Sequence, residues 1–198
     1  MKILSYNILT SSNFDENEQS IYEKEIGSFC WAKRKHLILS QLLISDVAVL
    51  VEATQLQINS LIKLSNKKKF NYRFFKKKNQ FDGTVIMYTN RFIEIGYMTK
   101  FLHESKTDTQ IVVSNILFDI HINKEIVITG VHLKSGYAEN EYRRSVEITN
   151  ALDSVDKWLQ ENNRINLPHI LCGDFNSEHP LSPSAIYKSL VLNIVKDK

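Results

Sequence analysis

Ile170-Leu171-Cys172-Gly173-Asp174-Phe175-Asn176-Ser177 reads as a short buried strand that runs into a glycine. Beyond the glycine it presents an acid and an amide two residues apart, on the same side of the chain. An acid beside an amide can orient a water and hold a phosphate oxygen at once. The same residues also suit an Asx-type turn, because Asp, Asn, Gly and Ser dominate turns. The neighbouring strands decide how much weight the chemical reading carries.

Three other apolar runs end in residues able to bind metal or phosphate. Residues 2–9 read as a first strand carrying Asn7. Asp46-Val47-Ala48-Val49-Leu50-Val51-Glu52 is β-branched and continuously apolar, as a strand buried on both faces should be, and Glu52 stands at its carboxyl end. Val131-His132-Leu133 closes a third run. Open sheets place ligand sites beyond the carboxyl ends of their strands, so Asn7, Glu52, His132 and Asp174 are candidates for one site. Each also has a plainer reading: a turn amide, a strand-end acid in solvent or paired with lysine, and a partly buried histidine.

Around these strands, apolar segments alternate with amphipathic ones, which predicts one mixed α/β layered domain. Further strands are expected at 84–89, 92–98, 110–120, 126–133 and 169–175, and helices at 31–44, 55–65 and 141–162. The first helix places Trp31, Ile38 and Leu42 on one side and Lys33, Arg34 and Lys35 on the other. In the last, Tyr142, Val146, Thr149, Leu152, Val155 and Leu159 fall on the face expected to pack. No repeat or linker interrupts the 198 residues, a length that can bury a sizeable core.

A net charge of +3 and a pI near 8.7 permit an anionic partner without requiring one. Local distribution says more. Lys67 to Lys78 packs seven cations and four aromatics into twelve residues. Such a stretch suits a single-stranded nucleic acid, whose phosphates meet the cations and whose bases stack on the rings. It equally suits a strand over Phe70–Phe75 whose rings are core and whose flanking lysines are solvated. Cys30 and Cys172 have no partner pattern, so no disulfide framework or cysteine zinc site is expected. With no secretory segment and no run near about 18 apolar residues, an intracellular, cytoplasmic location is expected.

Taken in order, Ser5-Tyr6-Asn7-Ile8-Leu9, Val51-Glu52, Asp82-Gly83-Thr84-Val85-Ile86-Met87-Tyr88, Val131-His132-Leu133 and Gly173-Asp174-Phe175-Asn176-Ser177 resemble the endonuclease/exonuclease/phosphatase superfamily. Trp31-Ala32-Lys33-Arg34 and Ser184-Ala185-Ile186-Tyr187-Lys188-Ser189-Leu190 are similar to elements of its mRNA deadenylase and nocturnin-like branch. The resemblance implies a four-layer α/β sandwich, two facing mixed β-sheets flanked by helices. It further implies Mg²⁺, or Mn²⁺, held by Asn7 and Glu52 as a Lewis acid on the scissile phosphate. Asp174 would orient the attacking water, Asn176 would bind phosphate, His132 would stabilise the transition state, and Tyr88 would approach the phosphate.

Two departures stand out. Val51 occupies the place where the family usually has glutamine before its metal-binding glutamate. The family also closes with an Asp-His pair, whereas here Asp197 is followed by lysine and no histidine follows His179, itself read as a loop residue. The expectation is therefore a C-terminally incomplete domain: a fragment, a chain completed by a neighbour, or a binding module without turnover. The implied function is Mg²⁺-dependent hydrolysis of a nucleic-acid phosphodiester, with a phosphatase of a small phosphorylated metabolite or inositide as the alternative.

Overall fold

A computed structural model describes residues 1–10, 31–66, 68–102, 110–136 and 140–176. His179, the 184–190 segment and Cys30 lie outside the described residues. Among the described residues, eight strands form two mixed sheets. In the first, β1 (Ile3–Asn7), β2 (Val47–Thr54), β4 (Asp82–Thr89) and β3 (Phe70–Lys76) lie in that order. The second runs β5 (Phe92–Phe101), β6 (Ile111–Asp119), β7 (Lys124–His132), β8 (His169–Asp174). Within each, one pair is parallel, β1 with β2 and β7 with β8, and the remaining pairs are antiparallel.

The alternation of side chains along each strand divides the core into three. Val47, Val49, Ile86 and Tyr88 of the first sheet pack against Val113, Leu117 and Ile128 of the second. The sheets approach so closely that a Cβ on Gly130 would stand 2.8 Å from a Val49 methyl. The outer face of the first sheet, with Ala48, Leu50, Val85 and Met87, is covered by α1 (Trp31–Ile44) and α2 (Gln55–Leu64). That of the second, with Val112, Ile116, Val127 and Val131, is covered by α3 (Glu141–Glu161). Four layers result, helices, sheet, sheet, helix, as expected.

Local signals explain the helix ends. Thr54 and Gln57 close a reciprocal capping box at the start of α2. Lys68 donates from its ammonium to the carbonyls of Leu43 and Ser45, satisfying acceptors at the end of α1.

Two expectations about helix faces need correction. Arg34 does not point away from the sheet: its guanidinium donates to the carbonyls of Ile8 and Leu9 at 2.6 and 3.1 Å, pinning the chain after β1. In α3 the buried side is Arg144, Glu147, Ile148, Ala151, Ser154, Val155 and Leu159, while Tyr142 is 82% exposed and Thr149 faces solvent. Apolar periodicity misses that face because two of its buried members are charged. Arg144 is held by Glu141 and the carbonyls of Lys134 and Gly136, and Glu147 by Arg143 and the Lys134 N–H.

Candidate active site

Asn7, Glu52, His132 and Asp174 meet where β1, β2, β7 and β8 open at one end of the two sheets. Parallel register explains the meeting: Asn7 pairs with Val51, and His132 with Asp174, so both pairs finish at the same level. The Asn7 amide nitrogen donates to Glu52 Oε1 at 2.9 Å and to Asp174 Oδ2 at 2.8 Å. Its oxygen accepts from the Leu9 N–H at 3.0 Å, which fixes which end of the amide faces the acids. Across the sheets, the Gly173 N–H donates to Ser5 Oγ at 2.9 Å and keeps β8 beside β1.

Glu52 does not end its strand. β2 continues to Thr54 past a bulge between Leu50 and Ala53, and Glu52 takes φ +55° there. An extra residue in a strand re-aims a side chain, and this one turns the carboxylate toward Asn7. On β8, Gly173 takes φ +135°, and a Cβ there would stand 1.9 Å from the Val131 carbonyl oxygen. The two readings of the following segment prove compatible: the Asn176 N–H donates to Asp174 Oδ1 in an Asx turn, leaving Oδ2 for Asn7. The Asn176 side-chain amide donates to the Leu133 carbonyl at 2.9 Å, which ties the turn to the end of β7.

His132 stands beside the acids, with Nε2 3.7 Å from Glu52 Oε1. Burial, and then the nearby Lys77 ammonium, push its pKa below the ordinary 6.5, while Glu52, Asp174 and Asp82 oppose the shift. The imidazole is therefore neutral near pH 7. Its Nδ1 is buried without a hydrogen-bond partner among the described residues.

Lys77 and Asp82 are the residues that sequence reasoning missed. Lys77 lies inside a run of three lysines, which reads as solvated, yet its side chain is 6% exposed and its ammonium sits 2.8 Å from Asp82 Oδ2. Asp82 pairs with Thr54, two residues beyond Glu52, so the ion pair stands at the same end of the first sheet as the acids. The DG step before an apolar strand was the available signal, but nothing in it names the lysine.

Tyr88 is not brought to this cluster. β4 runs antiparallel to β2, and Tyr88 pairs with Val47 at the far end of the sheet. Its hydroxyl donates to Glu94, which also accepts from Asn115 and bidentately from Arg73. Burial and the Glu94 carboxylate push the phenol up to about 12. The basic stretch is divided likewise: Phe70 is buried and Phe74 and Phe75 pack on the core, while Tyr72 remains exposed.

The donor set suits a hard divalent cation. Two carboxylates converge on one neutral amide, and among the described residues the ion-pair contact they make is with a histidine biased toward its neutral form. Unbalanced negative charge in a partly buried site calls for a cation. No group of three or more His, Cys, Asp or Glu side chains able to cage a metal occurs among the described residues. One or two carboxylates suffice for a hard cation that keeps its waters.

No family model and no curated protein matches the chain. Solved structures do. The human nocturnin catalytic domain with bound sulfate superposes with TM-score 0.73 at 23% identity, over 95% of this chain and 68% of that one. An endonuclease/exonuclease/phosphatase family protein of Bacteroides thetaiotaomicron gives 0.74 at 16% identity, over 98% and 68%. A mannosyl-6-phosphatase of the same organism gives 0.72 at 15%, over 96% and 70%. At these identities the likeness speaks for architecture, and the chain has the fold of the endonuclease/exonuclease/phosphatase proteins.

Proposed function

We propose that the chain is a Mg²⁺-dependent phosphoester hydrolase acting on nucleic-acid phosphodiesters, with Mn²⁺ as a substitute ion. The observation that carries the reading is the Asn7 amide shared by Glu52 and Asp174 beside a neutral imidazole. Glu52 would hold the ion, its carboxylate aimed by the Asn7 amide N–H, and the ion would supply Lewis acidity toward a non-bridging phosphate oxygen.

The remaining steps belong to the side chains. Asp174, oriented by Asn7 and by its own turn, accepts a hydrogen bond from the attacking water and sets its direction. His132, neutral and buried, donates an N–H to the phosphoryl oxygen as charge grows there, without changing its own charge first. Asn176, fixed by the Leu133 carbonyl, contacts a second phosphate oxygen. An intracellular, cytoplasmic setting accompanies a single-stranded RNA or DNA substrate in this reading.

The test is incubation of the purified chain with labelled poly(A) and single-stranded DNA, with Mg²⁺, with Mn²⁺ and with EDTA. Metal-dependent cleavage that Glu52→Gln abolishes is expected. No cleavage with either metal, or equal cleavage by the variant, overturns the reading. A phosphatase acting on a small phosphorylated metabolite is the second reading, favoured by the mannosyl-6-phosphatase among the similar folds. Phosphate release from sugar phosphates without any nuclease activity would select it.

A further inference from the structure

The β3–β4 turn, residues 77–81, stands at the rim of the site. Its position follows from register: Lys76 pairs with Gly83, and Asp82 with Thr54 beside Glu52. The turn is held at its base twice, by the Lys77 N–H donating to the Asp82 carbonyl at 2.9 Å and by the Lys77–Asp82 ion pair. Asn79 at its tip takes φ +58°. Strands β3 and β4 run so close at this point that a Cβ on Gly83 would stand 2.0 Å from the Phe75 carbonyl oxygen.

On this anchored turn Phe81 is 76% exposed. The ring is not part of any of the buried clusters. The Lys76 ammonium lies 5.5 Å from its centroid, and Lys78 is exposed on the same turn. A single exposed aromatic is ordinary on a protein surface. An exposed ring on a doubly anchored turn, with one ammonium over it, a second lysine on the same turn and the proposed site beside it, is a different arrangement. It offers an apolar plane for a flat group and positive charge for the phosphates attached to it.

We infer that Phe81, with Lys76 and Lys78, is a stacking platform for a nucleobase of a single-stranded nucleic acid whose adjoining phosphate enters the Asn7–Glu52–Asp174 site. The inference rests on the function proposed above and assigns the base contact of its single-stranded substrate to one turn. A duplex keeps its bases stacked within itself and cannot use the ring. Three other members of the basic stretch serve the fold: Lys68 caps α1, Arg73 binds Glu94, and Phe70 is core.

The experiment has two arms. In the first, fluorescence anisotropy of a labelled five-nucleotide single strand is measured in EDTA, against the wild-type chain and against Phe81→Leu and Phe81→Trp. Leucine keeps the apolar bulk and loses the π-face, so a roughly 5- to 100-fold weakening is expected, with tryptophan binding as well as wild type. Equal binding by all three, or no binding of single strands by the wild type, overturns the platform. In the second arm, metal-dependent hydrolysis of a base-free strand of tetrahydrofuran phosphodiesters is followed in the same proteins. Unchanged rates in Phe81→Leu are expected, and an equal fall on the base-free ester means that Phe81 supports the fold rather than a base. Loss of all hydrolysis in the wild type defeats the catalytic reading, while the binding arm still decides the platform.

Discussion

Replacing Lys77 by methionine tests whether a lysine hidden in a basic run holds up one wall of the site. The ammonium lies 2.8 Å from Asp82 Oδ2, and the two side chains are 6% and 3% exposed. At an effective dielectric near 20, their attraction is about 6 kcal/mol. Desolvating each ion costs several kcal/mol, so the intact pair contributes little net stability. Removing one partner is another matter, because Asp82 is left charged and buried, at a cost of about 3–5 kcal/mol. With a urea slope near 2 kcal/mol per M, the unfolding midpoint of Lys77→Met should fall by roughly 1.5–2.5 M. The double variant Lys77→Met/Asp82→Leu should regain most of that loss, since neither charge remains. A fall of less than about 0.5 M in the single variant, or a double variant no better than the single, refutes the reasoning, since coupling of at least about 2 kcal/mol is required.

Gly173→Ala should cost about 3 kcal/mol or more in thermal unfolding, because φ +135° and the Val131 carbonyl at 1.9 Å both exclude a methyl group. Glu52→Gln should lower metal-dependent turnover at least about 100-fold while leaving the unfolding midpoint within about 1 kcal/mol, as the amide can still accept from Asn7. His169 is half-buried, with Nε2 2.7 Å from Thr129 Oγ1, and burial lowers its pKa from 6.5, against the opposing pull of Asp156. The unfolded chain therefore binds more protons below pH 6.5, so stability should fall from that pH down to the folded-state pKa and then level off. His169→Gln should flatten this slope in urea titrations at successive pH values, and an unchanged slope would contradict the burial argument.

Much of the fold could be read from the residues because strands buried on both faces write long apolar runs. The expected strand at 126–133 is observed at 124–132, and the helices at 31–44 and 55–65 at 31–44 and 55–64. Where a buried position carries charge, that code fails. Arg144 and Glu147 turned the packing face of α3 away from the one that apolar spacing suggests, and Lys77 was lost among its neighbours. Antiparallel order misled in another way: Asp82 and Tyr88 share one strand, but only its beginning lies at the site. The convergence of Asn7, His132 and Asp174 was legible because a strand's end can be seen in sequence, whereas Glu52 lies two residues before the end of β2. The bulge that aims Glu52 was not legible, since Val51-Glu52-Ala53 carries no glycine to announce a positive φ.

Asn7 and Asp174 touch across 167 positions of chain, one on the first strand and the other on the last strand described. A nascent polypeptide emerging from the ribosome therefore cannot assemble the Asn7–Glu52–Asp174 cluster until β8 has been synthesised and laid beside β7 and β1. On the function proposed above, the chain spends most of its own synthesis without the site that would act on a nucleic acid.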